Sequence, residues 1–408
     1  MDQQQYLIQP PLTKGLPVSP VRDLDPQAVR AAGWKVLDDQ LPYPLAILKA
    51  SALTHNSRWM SAFLERFDVC LAPHGKTTMS PALFQRQLAD GAWGITAATV
   101  QQAAVMFSFG VKRVLLANQL AGTAAQRWAF DILAERPDIE FIAVVDSLEG
   151  IAALDRVGRE LAAARPLRLL VELGMAGGRT GARSVADGLA LAQAVAASPV
   201  LRLVGVEGYE AAVPAASAQA KEDGIRAFVA DMGELAARCE RAGLFSEATV
   251  LLSAGGSAYF DLITALPRML GSRPTRIVLR SGCYLTHDDG HYRKLWARLA
   301  QRTPEIEPLG EGLRPALEVW SVVQSTPEPG LAILTMGKRD VSHDLDLPMP
   351  RWHVRGHAEA LTRCEAHPSW QISALNDQHA FLRGDPGTLP AFGDRIGCAI
   401  SHPCTTFD

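Results

Sequence analysis

Apolar residues in this chain fall into short continuous runs, separated by longer stretches where they recur every three or four positions. Short apolar runs bounded by loops read as strands covered on both faces, and recurrence at three to four reads as helices with one buried face. The first such pair is a helical stretch at 55–67, with Trp59, Met60, Phe63, Leu64 and Phe67 on one face, followed by an apolar run at 69–72. The alternation then becomes regular. Helical stretches at 81–89, 100–109, 122–134, 148–163, 184–196, 217–242 and 259–265 each lead to an apolar run, at 93–96, 113–117, 141–145, 167–173, 201–206, 249–253 and 276–280. Eight such strand–helix units predict an α/β fold, a TIM (β/α)8 barrel, with a doubly wound open sheet as the alternative.

The pattern changes near residue 282. Long helical periodicity persists only at 292–300, and short β-like runs appear at 316–323, 331–335, 370–372 and 396–400. This predicts a mainly β second domain over 282–408. An N-terminal segment, 1–45, reads as an irregular arm (with Pro10, Pro11, Pro17 and Pro20) and a strand candidate at 44–49 that joins the β domain. The barrel then occupies 46–281.

Composition narrows the class. With 48% hydrophobic and 20% charged residues and a net charge of -3, the chain is ordinary for a globular protein. It lacks the basic runs that nucleic-acid binding asks for. No uninterrupted apolar stretch is long enough to span a membrane. The N-terminus, Met1-Asp2-Gln3-Gln4-Gln5, has no signal-peptide pattern. Cys70, Cys239, Cys283, Cys364, Cys398 and Cys404 show no framework spacing, so they read as reduced thiols in a cytoplasmic protein.

Candidate chemistry gathers where runs end. Lys76 follows the first run, between His74 and the hydroxyl pair Thr77 and Thr78. A lysine desolvated there would form a Schiff base with a carbonyl, and the carboxyl ends of barrel strands are where active sites lie. Glycine-rich loops follow other runs: 172–181 with Arg179, 207–210 with Tyr209, and 253–257 with Gly255, Gly256 and Ser257. An arginine suits an anionic oxygen, and a glycine loop suits a phosphate. Lysine and phosphate loop together point to pyridoxal phosphate. At the C-terminus, His402 and Cys404 would share one face if extended, a two-ligand set for a catalytic zinc with open positions.

These residues lie within motifs that resemble the D-serine dehydratase and D-threonine aldolase branch of pyridoxal-phosphate enzymes with the alanine racemase fold (fold type III). The motifs are PHGKT around Lys76, GITAAT at 94–99, GGRTG at 177–181, SAGGS at 253–257, RSGCYLTHDDG at 280–290, GKRDVSHD at 337–344, NDQHA at 376–380 and the terminal HPC. The resemblance implies that Lys76 carries the cofactor, Arg179 lies by its phenolate oxygen and Tyr209 by its ring. Gly255, Gly256 and Ser257, with Tyr284 in support, would bind phosphate. His402 and Cys404 would hold Zn2+ or another divalent metal, with His379 as a catalytic or supporting group. Two departures stand out: Gln378 precedes His379 where an acidic residue is common, and Leu173-Gly174 replaces an Asp-Gly pair.

The implied reaction is dehydration of a D-β-hydroxy-amino acid such as D-serine or D-threonine to a 2-oxo acid and ammonia. Lys76 takes the α-proton and the metal helps the β-hydroxyl leave. The family's aldolases, which yield glycine and an aldehyde, carry aspartate at the position of Cys404, so the thiol favours dehydration. An amino acid racemase would need a second base, usually a tyrosine of the β domain, and a non-catalytic cofactor carrier would need neither the β domain nor the HPC terminus. The related fold implies a homodimer acting on a small D-amino acid. His74 either orients Lys76 or satisfies its loop. His287, Asp288 and Asp289 read as a solvated loop with metal-compatible chemistry, and Asp340, His343, Asp344 and Asp346 as lining groups of the β domain or a partner-facing edge.

Overall fold

The computed structural model describes residues 15–16, 26–37, 40–355 and 363–407. Apart from residues 15 and 16, the expected arm at 1–25 lies outside the described residues. In chain order the elements begin with α1 (Pro26–Ala32), β1 (Leu45–Leu48), α2 (Ala50–Phe67), β2 (Cys70–Leu71), α3 (Pro81–Ala89), β3 (Ile95–Ala97), α4 (Val100–Ser108), β4 (Arg113–Gln119), α5 (Thr123–Glu135), β5 (Glu140–Val145), α6 (Leu148–Glu160) and β6 (Leu167–Leu173). They continue with α7 (Val185–Ala196), β7 (Leu201–Gly208), α8 (Ala218–Arg241), β8 (Val250–Ala254), α9 (Phe260–Ile263), β9 (Met269–Leu270) and β10 (Arg273–Leu279). Then come α10 (His291–Arg302), β11 (Leu317–Glu328), β12 (Leu331–Leu334), β13 (Met349–Val354), β14 (Cys364–Glu365), β15 (Gln371–Leu375), β16 (Ala380–Arg383), β17 (Arg395–Ala399) and α11 (Pro403–Phe407).

The chain divides into two compact units. One holds Ser57–Tyr284 and Trp296–Glu311; the other holds the described residues up to Asn56, Leu285–Leu295 and the segment from Gly312 onward. In the first unit eight parallel strands run in the order β2-β10-β8-β7-β6-β5-β4-β3, with β9 antiparallel on β10. The two ends of this order meet through the parallel bridge between His74 and Thr96. Around it, Trp93 N–H donates to Leu71 O at 2.7 Å, Thr96 N–H to Pro73 O at 2.9 Å, and Thr96 Oγ1 to Ala72 O at 2.6 Å. The sheet therefore curls onto itself as a barrel, and the open doubly wound alternative is set aside. The β2 ladder is shorter than the expected run at 69–72 because Pro73, with no N–H, ends it.

Ala72, Leu115, Ile142, Val144, Leu170, Val204, Leu251 and Val278 meet as one buried cluster, drawn from nearly every strand. Burying such side chains contributes roughly 1.5–3 kcal/mol each for the larger ones. Outside, four helices start at a hydroxyl cap: Thr99, Ser147, Ser184 and Ser217 each accept the backbone N–H of the third helical residue. These caps fix where four strands give way to helix, at the end of the barrel that carries the candidate residues.

In the second unit the sheet order is β14-β13-β17-β11-β12-β16-β15, and β1 adds antiparallel to β11, pairing Leu45 with Trp320 and Leu48 with Leu317. Its core gathers Leu317, Val319, Val323, Leu334, Ile372, Leu382 and Ile396 among others. The apolar runs reveal five of these strands, β1, β11, β12, β15 and β17. β13, β14 and β16 escape the pattern: MPRWHV carries Pro350, Arg351 and His353 on a half-buried strand, so no apolar run forms. Among the described residues no helix is long and apolar enough to cross a membrane, and none of the six cysteines is in a disulfide.

Candidate active site

In the barrel unit, Lys76 sits in a single 3-10 turn, Gly75–Thr77, immediately after β2. Its side chain is exposed, so the protein itself does not supply the desolvation expected for it. His74, two residues earlier, is half-buried, and its Nδ1 is enclosed with no hydrogen-bond partner. Burial holds the His74 imidazole well below its usual pKa, and the positive charges of Lys76, Arg280 and Arg179 push the same way. Three cations thus act on one neutral ring at the mouth of the barrel.

Arg179 comes from the loop after β6. Arg183 staples that loop by donating to Met175 O at 2.8 Å, Thr180 O at 2.9 Å and Gly178 O at 3.0 Å. Below it, the buried Glu172 carboxylate accepts from Thr180 Oγ1 at 2.6 Å and from Gln119, while Gly181 N–H donates to Asp146 Oδ2 at 3.0 Å. The Arg179 guanidinium then lies over the Tyr209 ring, 4.6 Å from its centroid. Tyr209 follows β7 directly.

The glycine loop after β8 is held from both sides. Gly255 N–H and Gly256 N–H donate to the Glu210 carboxylate at 3.0 and 2.7 Å, and Ser281 Oγ donates back to the carbonyls of both glycines at 3.0 and 3.1 Å. Ser257 Oγ accepts from Cys283 N–H at 3.0 Å. The two amides expected to face phosphate are thus engaged by a side chain that the motif reading passed over. Tyr284 is buried, and its hydroxyl bonds to Gln87 of α3 rather than to this loop. Deeper in the barrel, Arg280 pairs with Glu207 and donates to Gly208 O at 2.8 Å. Burial pushes the Glu207 carboxyl up while Arg280 pulls it back.

In the β unit, His402 and Cys404 do come together, but not through an extended tail. Pro403 opens the helix α11, the position where its missing N–H costs nothing. The Cys404 thiol lies within hydrogen-bond reach of the His402 imidazole and, with the Asp344 carboxylate, pushes it up to about 9. Asp344 Oδ2 is 2.6 Å from His402 Nδ1, and Asp344 Oδ1 accepts from Thr405 Oγ1 at 2.9 Å. Asp346 pairs instead with Lys294 at 2.8 Å, Asp340 accepts from Gly337 N–H, and His343 reaches only Val341 O at 3.4 Å. His379 is exposed in the turn between β15 and β16. The 286–290 loop departs from expectation: it is not solvated. His287 is 4% and Asp288 0% exposed, because Asp289 N–H bonds to Ile400 O and Gly290 packs on Ser401. Among the described residues, no three His, Cys, Asp or Glu side chains gather as a metal-binding group.

Residues 48–264 match the family described as "Alanine racemase, N-terminal domain". The chain belongs to that family. Residues 316–408 match a second description, "Putative serine dehydratase domain". The chain is 25% identical over 367 residues to a D-threonine aldolase of an Arthrobacter species, covering 90% of this chain and 86% of that one. It is 28% identical over 384 residues to a D-threo-3-hydroxyaspartate dehydratase of a Delftia species, covering 90% and 92%. Among solved structures, the D-threonine aldolase from Filomicrobium marinum superposes with a TM-score of 0.70 at 23% identity, covering 90% of each chain. At that identity the likeness concerns the fold.

The alanine racemase-type fold implies pyridoxal phosphate, and the barrel residues fit it. An amine and two guanidiniums act on one site, His74 offers an enclosed unpartnered nitrogen, and Gly256 leaves backbone open where a Cβ would meet Glu210 Oε1 at 3.2 Å and the Tyr209 ring at 3.3 Å. In the β unit the described side chains offer a divalent metal two donors, fewer than a complete site. Imidazole and thiol stand side by side, with a carboxylate on the imidazole, as in carboxylate–histidine–zinc arrangements.

Proposed function

We propose that the protein is a pyridoxal-phosphate- and zinc-dependent dehydratase acting on D-β-hydroxy-amino acids, releasing a 2-oxo acid and ammonia. The observation that carries the reading is the placement of Lys76, Arg179, Tyr209 and the Gly255–Ser257 loop after four strands of one barrel. Bound pyridoxal phosphate supplies an electron sink for charge developing at Cα. Lys76 would join it through Nζ and, once released by the substrate's amine, move the Cα proton. Arg179 and Tyr209 would hold the ring's orientation, the loop after β8 its phosphate. Neutral His74 adds no charge beside the amine. His402 and Cys404 would hold a divalent cation, which would supply Lewis acidity, and Asp344 would fix the imidazole that holds it. Loss of the Cα proton and the β-hydroxyl as water, followed by hydrolysis, gives the 2-oxo acid and ammonia.

The match of 316–408 to a serine dehydratase description and the thiol at Cys404 both favour dehydration. The D-threonine aldolase relative favours a second reading, cleavage to glycine and an aldehyde. Purified enzyme given D-serine, D-threonine and D-threo-3-hydroxyaspartate is expected to release 2-oxo acid and ammonia; glycine as the main product would establish the aldolase instead. A homodimer and a cytoplasmic setting belong to the same reading, the first being readable by light scattering of the purified chain.

A further inference from the structure

Glu210 is a buried acid that the reaction outlined above does not use. It opens a 3-10 turn, Glu210–Ala212, just beyond β7, and is 0% exposed. Burying a carboxylate is costly unless its oxygens are satisfied. Each oxygen here takes one amide: Oε2 accepts from Gly255 N–H at 3.0 Å and Oε1 from Gly256 N–H at 2.7 Å. Gly255 has φ +94, a backbone state that glycine adopts without strain. Arg280 N–H and Ser281 Oγ hold the Gly255 carbonyl, and Ser281 Oγ holds that of Gly256. The turn carrying Glu210 is itself pinned, because Lys221 of α8 donates to Ala211 O at 2.7 Å and to Val213 O. Two consecutive peptide units are therefore fixed on both edges. The next two amides, of Ser257 and Ala258, have no protein acceptor among the described residues. They are the donors left to meet an anion.

We propose that Glu210 is a positioning residue for the cofactor's phosphate: it clamps Gly255 and Gly256 so that the following amides are presented to the phosphate oxygens. The clamp is made entirely by groups of this chain. The inference rests on the pyridoxal-phosphate reading of this barrel. It has a rival with the opposite sign, in which the carboxylate merely stands in for phosphate and must be displaced.

The test compares pyridoxal phosphate with pyridoxal, which lacks the phosphate, as ligands of the full-length chain stripped of cofactor. Equilibrium titrations are run on the wild type, Glu210→Ala and Glu210→Gln, with far-UV circular dichroism and thermal melts of each unliganded protein. Glu210→Ala removes both acceptors. Glu210→Gln keeps one and turns an N–H2 toward the other amide. The wild type should prefer pyridoxal phosphate over pyridoxal. Glu210→Ala should lose about tenfold or more of that preference, the effect of a lost charged hydrogen bond, while pyridoxal affinity stays within about twofold. Glu210→Gln should fall between, and decides the matter if Glu210→Ala does not fold. An unchanged preference overturns the inference, as does a lower melting temperature with both affinities falling together. Tighter binding of pyridoxal phosphate by either variant overturns it in favour of displacement. A wild type that binds pyridoxal phosphate no better than pyridoxal sinks the reading of the site itself, and the inference with it.

Discussion

His287 occupies a left-handed backbone conformation, φ +45, inside a buried loop. Burial depresses its imidazole to about 4, so the folded chain binds fewer protons there than the unfolded chain between that value and about 6.5. Folding stability from this residue is therefore present near neutrality and lost as pH falls through that window, by about 3 kcal/mol at most. His287→Asn, which tolerates the same backbone region, should remove the dependence. Denaturant melts should show the wild type losing ground to the variant between pH 7 and pH 4; parallel curves would contradict this. Nothing in the string THDDG shows burial, since every residue in it is polar or small. The burial comes from tertiary packing, including that of Ile400 and Ser401 against the loop. Asp344 is a similar case. The sequence offers four acidic or imidazole groups between 340 and 346, and the fold selects one of them to seat His402. Asp344→Asn is expected to weaken zinc binding by about 10- to 100-fold, read by competition with a chelating dye. Unaltered affinity would separate Asp344 from the metal.

At the scale of elements, the barrel strands are legible because they are continuous apolar runs, whereas strand ends and the β unit are less so. β13 is mostly half-buried and interrupts its apolar residues with Arg351 and His353, and the chain turns helical from Pro403, which suits a first turn. Strand periodicity predicts the local pairing of His402 with Cys404, and the helix start achieves it by other means. No motif links Glu210 to a glycine pair some 45 positions later, so the sequence does not show their contact. Between β6 and β7 the register slips: Leu169 faces Leu203 while Leu170 faces Gly205. A Cβ on Gly205 would be driven into the Leu251 carbonyl of β8. Gly205→Ala should thus disturb β7, which carries Tyr209 and Glu210 at its end, and lower stability by roughly 2–4 kcal/mol. A thermal melt within one degree of wild type would show that the strand gives way at little cost.

For the whole molecule, the two units divide the expected chemistry between them. Lys76, Arg179, Tyr209 and the glycine loop belong to the barrel, and His402, Cys404 and Asp344 to the β unit. Removing metal with a chelator should therefore abolish release of 2-oxo acid while leaving cofactor absorbance in place. Loss of both together would contradict that division. The central claim is that Lys76 is the residue to which the cofactor is joined. Borohydride reduction of the chain loaded with pyridoxal phosphate, followed by peptide mass mapping, tests this most directly. The pyridoxyl mass is predicted on the peptide containing Lys76 and to disappear in Lys76→Ala; a label on another lysine, or none on Lys76, would contradict the account.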